Sequence, residues 1–290
     1  MQTRRRYSVP LPDGRTLSLG ERTLVMGILN LTPDSFSDGG ALQGVQAAVE
    51  AAVRMADAGA DIIDVGGEST RPGAAPVSEG EELRRVVPVI EALAARMSLP
   101  ISIDTYKASV AEAAANAGVA IVNDISGLRY DPRLAEVVAS RRLPIIVMHM
   151  RGRSDDMYQH ATYHDVVDEV RDELRESVAF AVGAGLPADA VLVDPGLGFA
   201  KDATHSFEVL ARCGEFAELG RPVVIGPSRK SFLARPIRRA SLEADVEWPT
   251  AAAVTAAVLA GAHIVRVHAV REMVQVVRVA DEIRKYHRDR

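Results

Sequence analysis

The sequence predicts a single (β/α)8 TIM barrel with a short N-terminal β-hairpin, and three observations carry the prediction. Eight short apolar runs alternate with eight helical patterns along the chain. The runs are continuous in Ile and Val rather than alternating with polar residues, as strands buried on both faces must be. A length of 290 residues suits one barrel. A doubly wound open sheet is the alternative. The count of eight and the lack of an opening glycine-rich phosphate turn favour the barrel.

Residues 1–20 read as a tail and hairpin, in which Tyr7-Ser8-Val9-Pro10 and Thr16-Leu17-Ser18-Leu19 flank the turn former Asp13-Gly14. The hairpin would plug the N-terminal mouth of a barrel domain spanning 21–290. Strand-like runs occupy 23–29, 61–65, 100–103, 120–122, 144–148, 190–193, 222–225 and 263–265. Helical patterns occupy 45–58, 79–97, 107–117, 133–140, 164–183, 206–219, 250–260 and 271–287. Several stop at glycine, as at Ala117-Gly118 and Ala260-Gly261.

Composition narrows the function. Hydrophobic residues make up 48% of the chain and aromatics only 4%, ample for a large Ala- and Val-rich core. A net charge of −5 argues against a nucleic-acid partner, so an anion site must be a local basic cluster. No apolar run is long enough for a membrane span, and no apolar segment follows Arg4-Arg5-Arg6 to make an export signal. The single cysteine, Cys213, suits a reducing cytoplasm and reads as helix packing.

In such a barrel the chemistry sits at the C-terminal strand ends. These end in Asn30, Asp64, Asp104, Asn123-Asp124, Met148-His149, Asp194, Gly226 and Arg266-Val267-His268. One polar strand end is often structural; polar groups at nearly all of them are not, because each buried unpaired group costs roughly 1–3 kcal/mol. Asp104, Asn123 and Asp194 suit a nitrogen-rich heterocycle with several N–H donors, and Lys230 a ring carbonyl or nitrogen. Arg71, Arg266 and His268 could converge above them on phosphate oxygens, with Asn30 a hard oxygen ligand for Mg²⁺. Residues 27–40 alone read equally as a surface turn or as a lid. Asp124 reads as a loop brace, His149 as a core histidine and Lys201 as structural or peripheral. The other five histidines receive no role.

The segments Ile28-Leu29-Asn30-Leu31-Thr32-Pro33-Asp34-Ser35-Phe36-Ser37-Asp38-Gly39-Gly40 and Asp64-Val65-Gly66-Gly67-Glu68-Ser69-Thr70-Arg71-Pro72-Gly73 resemble the two signatures of the dihydropteroate synthases. Met148-His149-Met150-Arg151-Gly152, Asp194-Pro195-Gly196-Leu197-Gly198-Phe199-Ala200-Lys201, Ser228-Arg229-Lys230-Ser231 and Arg266-Val267-His268 resemble the family in the same order. The resemblance extends over the chain after residue 20. It implies a transferase of folate biosynthesis, joining 6-hydroxymethyl-7,8-dihydropterin diphosphate to p-aminobenzoate. It implies that Asp104, Asn123, Asp194 and Lys230 hold the pterin in a slot lined by Ile125, Met148, Phe199 and Gly226. Asn30, Arg71, Arg266 and His268 would take the diphosphate, with Mg²⁺ on Asn30. Phe36, Thr70, Arg71, Pro72, Lys230 and Ser231 would form the p-aminobenzoate side. Catalytic roles fall to Asp104, Lys230, Asp34 and Asp38, and Asp64 joins the polar floor. A homodimer and inhibition by sulfonamides are further implications. The chain departs from the family pattern at Ala269, Ser206 and Tyr158. A pterin-binding methyltransferase of corrinoid systems would need no diphosphate cluster. An aldolase would need Lys230 as a Schiff base, and an inactive paralogue serving as a scaffold would bind without turnover.

Overall fold

The computed structural model describes residues 4–31, 40–69, 73–237 and 246–286. The hairpin forms as expected: β1 (Tyr7–Pro10) pairs antiparallel with β2 (Thr16–Leu19), Val9 opposite Leu17. The alternating units follow as β3 (Leu24–Asn30), α1 (Gly40–Asp57), β4 (Ile62–Gly66), α2 (Glu79–Ala94), β5 (Ile101–Asp104), α3 (Ala108–Ala117), β6 (Ile121–Asp124) and α4 (Arg133–Arg141). The second half is β7 (Ile145–Met148), α5 (Val166–Gly183), β8 (Val191–Asp194), α6 (Ala203–Ala211), β9 (Val224–Ile225), α7 (Glu247–Ala260), β10 (Ile264–Val267) and α8 (Val270–Lys285).

The eight barrel strands pair in parallel, β3 through β8 in sequence order, with β10 inserted between β3 and β9. A parallel bridge between Val193 and Val223, with Val193 N–H donating to Pro222 O at 3.0 Å, brings β8 against the short β9 and nearly closes the barrel. Helix ends follow local chemistry. Ser78 and Asp165 cap α2 and α5 through their side-chain oxygens, and Gly118 and Gly261 end α3 and α7 in the left-handed region at φ 110° and 107°.

One expected helix divides. The 206–219 pattern becomes α6, capped by Asp202, and then a 3-10 segment, Cys213–Leu219. There Gly214 passes close to the end of α7, where an added Cβ would come within 3.2 Å of Ala260 O. Asp165 likewise delays the start of α5 to Val166.

Two cores result. The larger lies between strands and helices and takes Ile63, Val65, Ile103, Val122, Val147, Val193, Ile225 and Val265 from the strands. The smaller fills the lower barrel with Met26, Ile62, Ile121, Ile146, Leu192, Val224 and Ile264. Val9, Leu11, Leu17 and Leu19 of the hairpin region pack beneath that layer, so the hairpin plugs the N-terminal mouth. Side chains alternate along a strand. Two residues beyond the lower-core members Ile62, Ile121, Leu192 and Ile264 therefore come Asp64, Asn123, Asp194 and Arg266, on the same inner face.

Candidate active site

These four residues, with Asp104 from β5, form a charged floor above the apolar plug. Arg266 bridges it: Nε donates to Asp64 Oδ2 and Nη2 to Asp104 Oδ2, both at 2.6 Å. Asn123 Nδ2 donates to the same Asp64 oxygen at 3.1 Å. Asp64 is fully buried, and its Oδ1 has no hydrogen-bond partner among the described residues. Across the floor, Asp194 Oδ1 accepts from Gly196 N–H at 2.7 Å.

Burial shapes the protonation. It pushes the Asp104 carboxyl up to about 7, with Asp64 adding to the rise and Arg266 opposing it. It pushes Asp194 up to about 6 against the Gly196 N–H and Lys230. Burial and then Arg266 bring the Lys230 ammonium down to about 8. Burial also works against the Arg266 guanidinium, but Asp64 and Asp104 outweigh it and hold Arg266 above its ordinary value. The expected position of Arg266 above the floor is thus corrected. Its guanidinium lies in the floor because two buried carboxylates, otherwise facing one another, require a cation between them.

Ile125, Met148 and Phe199 gather in one apolar cluster with Met150, Met157 and Ala200, Tyr106 against its edge. Lys230 Nζ lies 3.7 Å from the centre of the Phe199 ring, a cation–π contact that joins the slot to the floor. Gly226 leaves room beside Arg266 and Asp194: an added Cβ would stand 3.8 Å from Arg266 Cβ and 4.0 Å from Asp194 Oδ2.

At the rim, Asn30 ends β3 exposed, its Oδ1 3.6 Å from the position of a Cβ on Gly66. His268 Nδ1 is 2.9 Å from Ser228 Oγ, and its backbone N–H donates to the same oxygen at 3.2 Å. Ser231 is exposed at the start of a 3-10 turn. Asp34, Phe36, Asp38, Thr70, Arg71 and Pro72 lie outside the described residues. Among the described residues no group of three or more His, Cys, Asp or Glu could hold a metal ion. Asn30 would serve Mg²⁺ as one oxygen ligand among substrate phosphates and waters, a mode Mg²⁺ commonly adopts.

Other expectations resolve into structure. Asp124 braces its loop by accepting from Ser126 N–H at 2.7 Å and Leu128 N–H at 2.5 Å. His149 is buried, and burial lowers its ring to about 3. Burial pushes the Cys213 thiol up to about 12, which removes it as a nucleophile. Two networks escaped the sequence reading. Lys107 binds Glu68 and Glu82, and its ammonium donates to Val77 O at 2.7 Å. Its signal was one lysine directly after Asp104-Thr105-Tyr106, at a strand end. Lys201 is fully buried behind the slot; its signal was one charge closing an otherwise uncharged Gly196–Ala200 loop.

Known proteins share this frame. The family described as pterin binding enzyme matches residues 26–268. The dihydropteroate synthase of Synechocystis sp. is 45% identical over 278 residues, covering 96% of each chain. Among solved structures, the Xanthomonas albilineans dihydropteroate synthase with 4-aminobenzoic acid aligns at TM-score 0.86 and 42% identity, covering 96% of this chain and all of that one. The Yersinia pestis enzyme, solved in a sulfonamide drug complex, aligns at TM-score 0.85 and 40% identity, covering 93% and 97%. Sequence and barrel agree across nearly the whole length, and the chain belongs to the dihydropteroate synthase family of pterin-binding enzymes.

Proposed function

We propose that this barrel condenses 6-hydroxymethyl-7,8-dihydropterin diphosphate with p-aminobenzoate, giving 7,8-dihydropteroate and pyrophosphate for folate biosynthesis. The observation that carries the reading is the Asp64–Arg266–Asp104 floor, with Asn123 and Asp194 beside it and an apolar slot above. Buried acceptors at that density suit a flat ring rich in N–H donors, and the free Asp64 Oδ1 provides one more acceptor. Ile125, Met148 and Phe199 supply the apolar walls. Lys230 meets the ring carbonyl or nitrogen side.

The C–O bond to diphosphate breaks and leaves a cationic methylene on the pterin. The ionised floor carboxylates stabilise that charge electrostatically. The amine of p-aminobenzoate attacks, a C–N bond forms, the amine proton is lost and pyrophosphate departs. Held by Asn30 and the phosphates, Mg²⁺ would neutralise the leaving group. His268, Arg71 and the free side of Arg266 bind its oxygens. Ser231 and residues 70–72 receive the p-aminobenzoate, and the 30–40 segment, with Asp34, Phe36 and Asp38, excludes water from the cation.

Pyrophosphate release measured with and without p-aminobenzoate tests the reading. Wild type should release it and make dihydropteroate, and Asn30→Ala should lose most of the rate at equal Mg²⁺. No release by wild type overturns the reading. A sulfonamide should compete with p-aminobenzoate. A homodimer through α7 and α8 is part of the proposal: Val279 and Ile283 lie exposed on α8, and Tyr286 is exposed at its C-terminal cap. Sedimentation of a monomer at assay concentrations removes that part.

A further inference from the structure

We propose that Lys201 is a positioning residue for the pterin slot: its buried ammonium clasps the β8–α6 loop to the end of β7 and thereby sets Phe199 against Lys230. The inference rests on the reaction proposed above.

The loop from Asp194 to Lys201 is pressed onto β7. His149 N–H donates to Asp194 O at 2.9 Å, and an added Cβ on Gly196 would come within 2.1 Å of His149 O. Lys201 Nζ fastens this contact from behind. It donates to Gly196 O at 3.2 Å and Phe199 O at 3.0 Å, and stands 2.8 Å from His149 Nδ1. Burial brings the Lys201 ammonium down to about 7; in its protonated form it has no lone pair, so His149 Nδ1 accepts and the ring proton sits on Nε2. That nitrogen is 3.2 Å from Glu173 Oε2 of α5, whose other oxygen, Oε1, accepts from Arg151 Nε at 2.8 Å. The clasp thus runs from α5 through β7 into the loop.

The loop needs such a restraint. Ala200 occupies the left-handed region at φ 49°, which alanine rarely adopts unaided. Tyr163 OH holds the Ala200 carbonyl at 2.9 Å, while Lys201 holds the two carbonyls that flank the turn placing Phe199. The Phe199 ring then lies 3.7 Å from Lys230 Nζ. A fully buried lysine is costly to keep unless its donors are filled. Here they are filled by the two loop carbonyls and His149.

Steady-state kinetics with both substrates test the clasp in Lys201→Met, with thermal melting to give the folded fraction. The expected result is a KM for the pterin diphosphate raised by about tenfold or more, with the KM for p-aminobenzoate within about twofold of wild type. Lys201→Gln keeps amide donors without the charge and should fall between. A folded Lys201→Met whose pterin KM stays within about twofold of wild type overturns the clasp, as does an equal rise in both KM values. If Lys201→Met does not fold, Lys201→Gln is judged by the same criteria. Wild type run in parallel separates the two ideas. Absence of wild-type turnover defeats the reaction and the clasp with it, whereas turnover with an unmoved pterin KM defeats the clasp alone.

Discussion

Replacing Arg266 with methionine would leave Asp64 and Asp104 facing one another without a cation. Two charge-assisted bonds at 2.6 Å are lost. Removing one partner of a buried ion pair costs roughly 3–5 kcal/mol, in line with about 1.5–3 kcal/mol for each bond to a charged group. The loss should depend on pH. The folded Asp104 carboxyl stands at about 7, above its unfolded value. A group raised in this way contributes stability at low pH that is lost as pH rises through the folded value. Without Arg266 the carboxyl moves higher still, so the variant goes on losing stability after the wild type has stopped. The difference should be smallest near about pH 6 and grow by up to about 1.4 kcal/mol per pH unit between about pH 7 and 8.5. Urea unfolding followed by circular dichroism at both ends of that range measures it. A loss below about 1 kcal/mol at the alkaline end, or one equal at both ends, would refute the bridged floor.

Three further outcomes follow from particular contacts. The kcat/KM for pterin diphosphate should be bell-shaped, because Asp194 at about 6 and Asp104 at about 7 must be ionised and Lys230 at about 8 protonated; a profile flat across that interval contradicts this. Leu19→Ala in the buried plug should cost roughly 2–5 kcal/mol in denaturant unfolding yet leave both KM values unchanged, since the hairpin lies at the opposite end of the barrel. Lys107→Met should cost roughly 3–5 kcal/mol by leaving Glu82 buried without its cation, and adding Glu82→Gln should recover a large part; additive losses in that cycle would show the pair does not couple.

Much of the site was legible because a barrel strand is short and ends where its chemistry begins. Asp104, Asn123, Asp194 and Arg266 announce themselves as polar residues closing Ile- and Val-rich runs, and the loop brace of Asp124 follows from the Ser126 and Leu128 amides two and four residues on. Lys201 was not legible in its role. Its partner His149 is 52 residues away and on another strand, and nothing local marks a lysine as the clasp of a distant loop. The division of the 206–219 helix was not legible either: the expected pattern runs through Arg212-Cys213-Gly214, where α6 gives way to a 3-10 segment.

By itself the sequence determined the eight-unit barrel, the family and the identity of nearly every strand-end residue, because helix stops, turn formers and apolar run lengths are local properties. It could not tell inner from outer side chains, since strands covered on both faces are apolar on both. Only the nearly closed barrel decided that Ile62 and Asp64 share the inner face while Ile63 and Val65 meet the helices. Only it put β10 beside β3, so that Arg266 reaches an aspartate 202 residues away and becomes the bridge of the floor.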